Sequence, residues 1–401
     1  MLDFTDAPIH LRRNGFELDP GLAVLRERRP VVRIPLPTGA KAWLVTGYEH
    51  VREVLSDATR FGSDGRRLAD PAASTSCGRP GADAIARHGD FTTYDPPDHS
   101  RLRRLVTSAF TAKRVRDMVP MVHQIVADVL EVLARSGPPA DLVRAFALPV
   151  PSMVICELLG VPHADRLDFH ERALIRFDIA RSPQERIAAV TASRDYMAQF
   201  VRANRAVPGD GLLGALVVNH GHEIDDVELT GVADLLLLGG FETTANMLTL
   251  GTLLLTRDPQ HVAMTQVELR LPGLIEELLR YLSVVQTGVP RVALCDTELG
   301  GASIRCGERL LCSLPAANHD EAVAADADQF DPSRATTRAH LAFGHGIHHC
   351  IGASLARLEL RVALTELFRQ LPGLKIDRPF AELPFRSASA IHGIDELPVV
   401  W

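Results

Sequence analysis

Residues 343–352 read Phe343-Gly344-His345-Gly346-Ile347-His348-His349-Cys350-Ile351-Gly352, and a helical pattern follows at once from Ala353 to Leu371. No other stretch restricts the fold so strongly. The glycines permit backbone angles closed to other residues and let the chain approach something large and flat. The single cysteine would stand at a helix N-terminus, where free N–H groups and the positive end of the dipole favour a thiolate. One axial thiolate with close backbone approach is what a haem iron requires. A buried structural cysteine beside a glycine turn fits the same residues, so the loop alone leaves both readings open.

At 401 residues and 46% hydrophobic content the chain can bury a large core, and no shift in composition divides it. We expect one domain over residues 1–401, with a helix-rich core at about 97–371 and β-rich parts toward both ends. Aromatic residues are only 5%, so Ala, Leu and Val must fill the core, which suits a mainly α (α+β) protein. A net charge of -7 argues against nucleic acid as the main partner. The first residues hold no positive segment before an apolar run, and Leu235–Leu238 is too short a run to span a bilayer. The six cysteines (Cys77, Cys156, Cys295, Cys306, Cys312 and Cys350) form no C-x-x-C pair. They read as reduced thiols of a cytoplasmic protein, not a disulfide frame or a zinc site.

Val31–Pro35 and Ala42–Thr46 read as strands around a Pro-Thr-Gly turn, and Tyr48–Leu55 as a helix. From Leu68 to Asp90 the pattern gives way to a long loop of the kind that usually serves function. Helical periodicity covers Pro97–Phe110, Lys113–Arg135, Val150–Leu159, Ala164–Phe177, Pro183–Asn204, Asp225–Thr256, Ala263–Ser283 and Ala353–Leu371. Strand signals return at Arg291–Ala293, Ile304, Leu310–Ser313 and Leu397–Val400.

The longest helix, capped by Asp225, carries Gly239-Gly240-Phe241-Glu242-Thr243. Each mid-helix glycine costs about 1 kcal/mol against alanine. The pair can let the helix bend or open, with Glu242 and Thr243 placed to hand protons to a bound ligand. Close helix packing beside a solvated glutamate is the alternative. Glu277 and Arg280 share one helical face, either as a surface pair or as a buried brace helped by the turn Phe330–Arg334. His99 and Arg103 lie on one face, and Arg291 and His348 offer further donors for carboxylates. Haem carries two propionates that need such partners, although all four residues also fit solvated faces.

In these motifs the chain resembles the soluble bacterial cytochrome P450 monooxygenases. The haem-loop motif F-G-x-G-x-H-x-C-x-G is complete from Phe343 to Gly352, the glutamate–arginine motif falls on Glu277 and Arg280, and the oxygen-activation motif on Gly239–Thr243. Asp95-Pro96-Pro97-Asp98-His99 through Arg103, Leu158–Pro162 and Pro290–Ala293 also match family positions, so the likeness covers nearly the whole chain. His319 departs from it, standing in a structural loop where relatives commonly carry Arg.

The resemblance implies the triangular P450 fold, mostly helical with small peripheral sheets, enclosing haem b. Cys350 would be the iron ligand; His99, Arg103, Arg291 and His348 would bind propionates, with Phe343 and Gly352 in the haem loop. Glu242 and Thr243 would serve O2 activation, and Glu277, Arg280, Gly239 and Gly240 would be structural. The implied reaction inserts one oxygen atom of O2 into a largely apolar small molecule, as in hydroxylation during antibiotic or other secondary metabolism. Oxidative coupling or ring closure of an aromatic or peptide substrate uses the same cofactor chemistry, and a non-enzymatic haem sensor is the competing class. Substrate contacts are expected from Leu68–Asp90, Leu174–Pro183, Leu235–Leu238, Val284–Val289 and Ser387–His392. Electrons would come from a ferredoxin and its reductase, docking on a basic face drawn from Arg101, Arg104, Lys113, Arg114, Arg116, Arg357 and Arg361.

Overall fold

A computed structural model describes residues 7–36, 39–69, 88–162, 166–334, 339–386 and 389–401. Its α-helices are α1 (Pro20–Arg28), α2 (Tyr48–Ser56), α3 (Asp98–Thr107), α4 (Ala112–Asp117), α5 (Val119–Ser136), α6 (Pro149–Leu159) and α7 (Arg166–Phe177). They continue as α8 (Pro183–Ala206), α9 (Leu212–His220), α10 (Asp226–Leu255), α11 (Pro259–Met264), α12 (Leu271–Leu282), α13 (Leu314–Asn318) and α14 (Ala353–Gln370). The largest sheet has five strands, β1 (Val31–Pro35), β2 (Lys41–Val45), β3 (Phe61–Gly62), β4 (Val289–Ala293) and β5 (Arg309–Cys312), in the order β1-β2-β5-β4-β3. β5 runs parallel to β2 and antiparallel to β4. Smaller sheets include one that pairs Lys375–Ile376, Pro398–Val400 and Ala140–Asp141. The mostly helical class with peripheral sheets is the expected one.

α10 organises the interior. Asp225 caps it by accepting the Glu228 N–H at 2.8 Å. Its first half, Leu229 to Phe241, packs in one apolar cluster with α3, α6, α8 and α9. Its second half, Met247 to Leu255, packs in another with α5, α12 and α14. Gly239 and Gly240 lie where the helix passes from one cluster to the other. The backbone does not open there, since α10 runs unbroken through both glycines. Gly240 is small because a Cβ would stand 2.7 Å from the Ile155 side chain on α6, whereas a Cβ on Gly239 would meet nothing. One glycine therefore serves packing and the other leaves space.

Two expected helices are each divided. Lys113–Arg135 breaks at Met118, between α4 and α5, and Ala263–Ser283 breaks between α11 and α12. Pro120 and Pro272 stand in the first turns of α5 and α12, positions that suit a residue without an N–H and exclude continuous helix before it. α1, α9 and α13 were not expected, all being short. Residues 70–87 of the expected loop, Cys77 among them, lie outside the described residues, as do Pro37, Thr38, Ala164, Ser387 and Ala388. Among the described residues no helix is long and apolar enough to cross a membrane.

His10 lies 3% exposed near the N-terminal edge, with no hydrogen-bond partner for Nδ1. Burial lowers its pKa to about 4, against a smaller opposing effect of a hydrogen bond to the Thr287 backbone. The folded state thus binds fewer protons than the unfolded chain below about pH 6.5, so stability falls as pH drops from there toward 4. At pH 5 this one histidine removes about 2 kcal/mol. Urea unfolding at pH 7 and pH 5 measures it: His10→Leu should flatten the dependence, and an unchanged slope would exclude His10 as its source.

Candidate active site

The cysteine loop folds back onto itself before α14. The Cys350 N–H donates to the Phe343 carbonyl at 2.9 Å, and the His349 N–H to the Gly346 carbonyl at 3.0 Å. Gly344 and Gly346 both take a φ of +72°, as a loop that turns this sharply requires. Gly346 also passes so near the Leu55 carbonyl that a Cβ would stand 2.1 Å from it. The Cys350 side chain is exposed, yet enclosed deeply enough that burial raises its thiol pKa. Both hold for a side chain lining an interior recess. The Gly352 N–H, Arg103 and Arg357 oppose that rise, so the helix start favours the thiolate as expected but does not prevail. A coordinated cation reverses the balance, because it deprotonates the thiol outright.

The four expected propionate partners converge beside the loop. His99 is 2% exposed and both its ring nitrogens lack partners, as do Arg291 Nη2 and His348 Nδ1. The His99 and His348 rings stand 4.2 Å apart. Burial, then Arg291, His99 and Arg103, lower the His348 pKa to about 3. Arg103 donates to the His349 carbonyl at 2.6 Å. Buried cationic and imidazole groups with unmet donors are costly unless anions complete them. Two carboxylates would do so, and with a facing thiol and glycine-cleared backbone the residues present fit a haem. Ser63 is a member of this cluster that the sequence did not mark: its Oγ lies 2.9 Å from His348 Nε2. Asp95 joins it, accepting the Ser63 N–H at 2.6 Å.

On α10 the acid and the hydroxyl part company. Thr243 is half-buried and donates through Oγ1 to the Gly239 carbonyl at 2.9 Å. Glu242 is wholly buried. Its Oε1 accepts Arg386 Nη1 at 2.6 Å and Asn246 Nδ2 at 3.1 Å, and His170 Nδ1 lies 3.4 Å from Oε2. Burial alone would raise its pKa, but His170 and Arg386 outweigh that and hold it below the usual value. The solvated-glutamate alternative is excluded. His170 and Arg386 come from distant segments and carry no motif, so nothing in the sequence could have found them.

Glu277 and Arg280 are 4% and 1% exposed. Arg280 Nε and Nη2 grip the Glu277 carboxylate, both at 2.8 Å. Nη1 donates to the Asn318 and Ala327 carbonyls and Nη2 to that of Gln329, so every donor is used. Glu277 also accepts the Asp331 N–H at 2.9 Å and Arg334 Nε at 3.3 Å, as the turn Phe330–Arg334 was expected to allow. Asn318 carries the brace onward by accepting the Leu341 N–H at 2.6 Å, just ahead of the cysteine loop.

A sequence profile described as Cytochrome P450 matches residues 270–372. Pentalenic acid synthase of Streptomyces avermitilis is 42% identical over 385 residues, covering 94% of this chain and 92% of that protein. The chain belongs to the cytochrome P450 family. It is also similar to the structure of mycinamicin VIII C21 methyl hydroxylase MycCI from Micromonospora griseorubida, with TM-score 0.87, 37% identity and coverage of 97% and 98% of the two chains. The structure of P450 StaH from glycopeptide antibiotic A47934 biosynthesis gives TM-score 0.85, 40% identity and coverage of 98% and 100%. This chain is thus a P450 monooxygenase.

His319, the departure from the usual P450 pattern, is buried and satisfied, with Nε2 2.9 Å from the Tyr281 carbonyl oxygen and Nδ1 3.1 Å from Asp328. The expected basic face needs a larger correction. Arg101 pairs with Glu228, Arg104 with Glu223 at 2.6 Å, and Arg357 with Glu276. Their charge is neutralised locally. Lys113, Arg114, Arg116 and Arg361 are exposed and have no ion-pair partner among the described residues.

Proposed function

We propose that this P450 holds haem b through Cys350, His99, Arg103, Arg291 and His348, and hydroxylates a largely apolar small molecule of antibiotic or other secondary metabolism. The observation that carries the reading is the Thr243 hydroxyl beside the open face of Gly239, on the helix that packs against α14. When bound, the haem supplies O2 activation and C–H oxidation, with the thiolate pushing electron density toward O–O cleavage. Thr243 commits its own proton to Gly239, so its lone pairs face outward and hold a proton donor in place. Next to it in the chain, the Glu242 carboxylate is held by Arg386, which also donates to the exposed Asp395 (2.7 Å), so the acid is fixed in its charged form beside the threonine. The half-buried Leu174, Phe177, Leu235, Leu238, Val285 and Val289 offer an apolar lining that excludes water. The names of pentalenic acid synthase, mycinamicin hydroxylase and StaH support the metabolic setting.

Substrate-induced difference spectra over a panel of apolar natural products, followed by product mass, test this reading. One added oxygen is expected; loss of two hydrogens would assign coupling or ring closure instead. With the substrate in hand, Thr243→Ala should divert most electrons to hydrogen peroxide while keeping its spectrum. Unchanged coupling of electrons to product would remove Thr243 from the reaction.

Electrons are proposed to come from a small acidic ferredoxin. Lys113, Arg114 and Arg116 lie on α4, which packs against α14, where Arg361 stands. Four unpaired cations near the thiolate side favour an acidic partner there. Arg361→Glu together with Arg114→Glu should slow reduction by the donor several-fold at low salt, with a shallower salt dependence. An unaltered rate would place docking elsewhere.

A further inference from the structure

Arg357 was expected on the docking face, yet its guanidinium is held on several sides. Nε and Nη2 donate to the two oxygens of Glu276 at 2.6 and 2.8 Å. Its central carbon lies 4.6 Å from the centre of the Phe343 ring, and the Phe343 carbonyl accepts the Cys350 N–H. Glu276 also meets His340 Nε2 at 3.1 Å, while His340 Nδ1 accepts the Ala342 N–H at 3.2 Å. One carboxylate, adjacent to the Glu277–Arg280 brace but no part of it, thereby joins α12, the arm 340–343 leading to the cysteine, and α14.

A solvated pair of this kind contributes little. Here the arginine is bidentate and stacked on an aromatic face, which favours a fixed geometry. Burial would raise the Glu276 pKa, but Arg357 and His340 outweigh it and hold it at about 2. Arg357 is also close enough to Cys350 that each favours the charged form of the other.

We propose that Arg357 is a positioning residue for the axial thiolate, seating Phe343 against the cysteine loop and directing positive charge at the sulfur, and that Glu276 limits that charge. Positive charge near the sulfur withdraws electron density from it and so favours the reduced iron. The two members of the pair then act in opposite directions. Removing the arginine leaves a more donating thiolate and a more negative reduction potential. Removing the carboxylate charge leaves Arg357 uncompensated and makes the potential more positive. A pair that merely staples the loop gives no such opposition, because breaking it from either side loosens the same contact.

The test is a spectroelectrochemical redox titration of haem-loaded wild type, Arg357→Leu and Glu276→Gln, with the carbon monoxide band recorded for each. A negative shift for Arg357→Leu and a positive shift for Glu276→Gln are expected, both with the thiolate band retained. Shifts in the same direction, or no shift in either variant, would overturn the assignment. Should Arg357→Leu fail to retain haem, Glu276→Gln decides alone, being nearly isosteric and still able to accept from Arg357. A positive shift then supports the proposal, and a negative or absent one rejects it.

Discussion

Cys350→Ala should abolish the carbon monoxide band at about 450 nm that marks a thiolate-ligated haem. The loss is expected to be complete, because among the described residues no second cysteine lies in the glycine loop or at the start of α14. Cys156 lies within α6, Cys312 is buried at the end of β5, and Cys295 and Cys306 are exposed in the connection between β4 and β5. The proposed propionate partners His99, Arg291 and His348 do not depend on the sulfur, so weak haem retention without the band is the expected result. Purified variant and wild type, reduced under carbon monoxide and compared at equal protein concentration, give the answer directly. A surviving band would mean that Cys350 is not the ligand. Wild type that takes up no haem under reducing conditions would remove the basis for the whole site.

Arg280→Leu should cost about 3–5 kcal/mol, the usual consequence of stripping one partner from a buried ion pair. It would leave Glu277 with only the Asp331 N–H and Arg334, and it would orphan the carbonyls of Asn318 and Ala327. Native stabilities of about 5–15 kcal/mol leave little margin for such a loss. Haem-replete protein should therefore fall to a small fraction of the wild-type yield, with a much lower urea midpoint. Arg280→Lys should rescue only partly, since an ammonium has three donors on one centre and cannot span carbonyls and carboxylate together. A variant within about 1 kcal/mol of wild type would show that the network is dispensable.

Much of the site was legible because its chemistry is local in the chain. Phe343 to Gly352 holds the thiol, the positive-φ glycines and the helix start within one loop, and each demand follows from covalent geometry or from the helix terminus. The pair Glu277 and Arg280 was equally plain as a pattern, helical spacing placing both on one face. Whether that face was buried was not legible. The answer came from Asn318, Ala327 and Gln329, whose carbonyls reach Arg280 only after the chain has returned to α12.

The division follows from range. Sequence alone determined the motif loop, the long capped helix with its glycine pair, and the mainly helical class, because periodicity, capping and backbone freedom act between near neighbours. Tertiary structure alone decided that Glu242 is locked by Arg386 and His170, that Gly239 opens space where Gly240 closes it, and that Arg357 is held by Glu276. Those outcomes depend on which distant side chain fills the remaining donor or volume. A charge carries no mark of its partner until packing has removed water from between them.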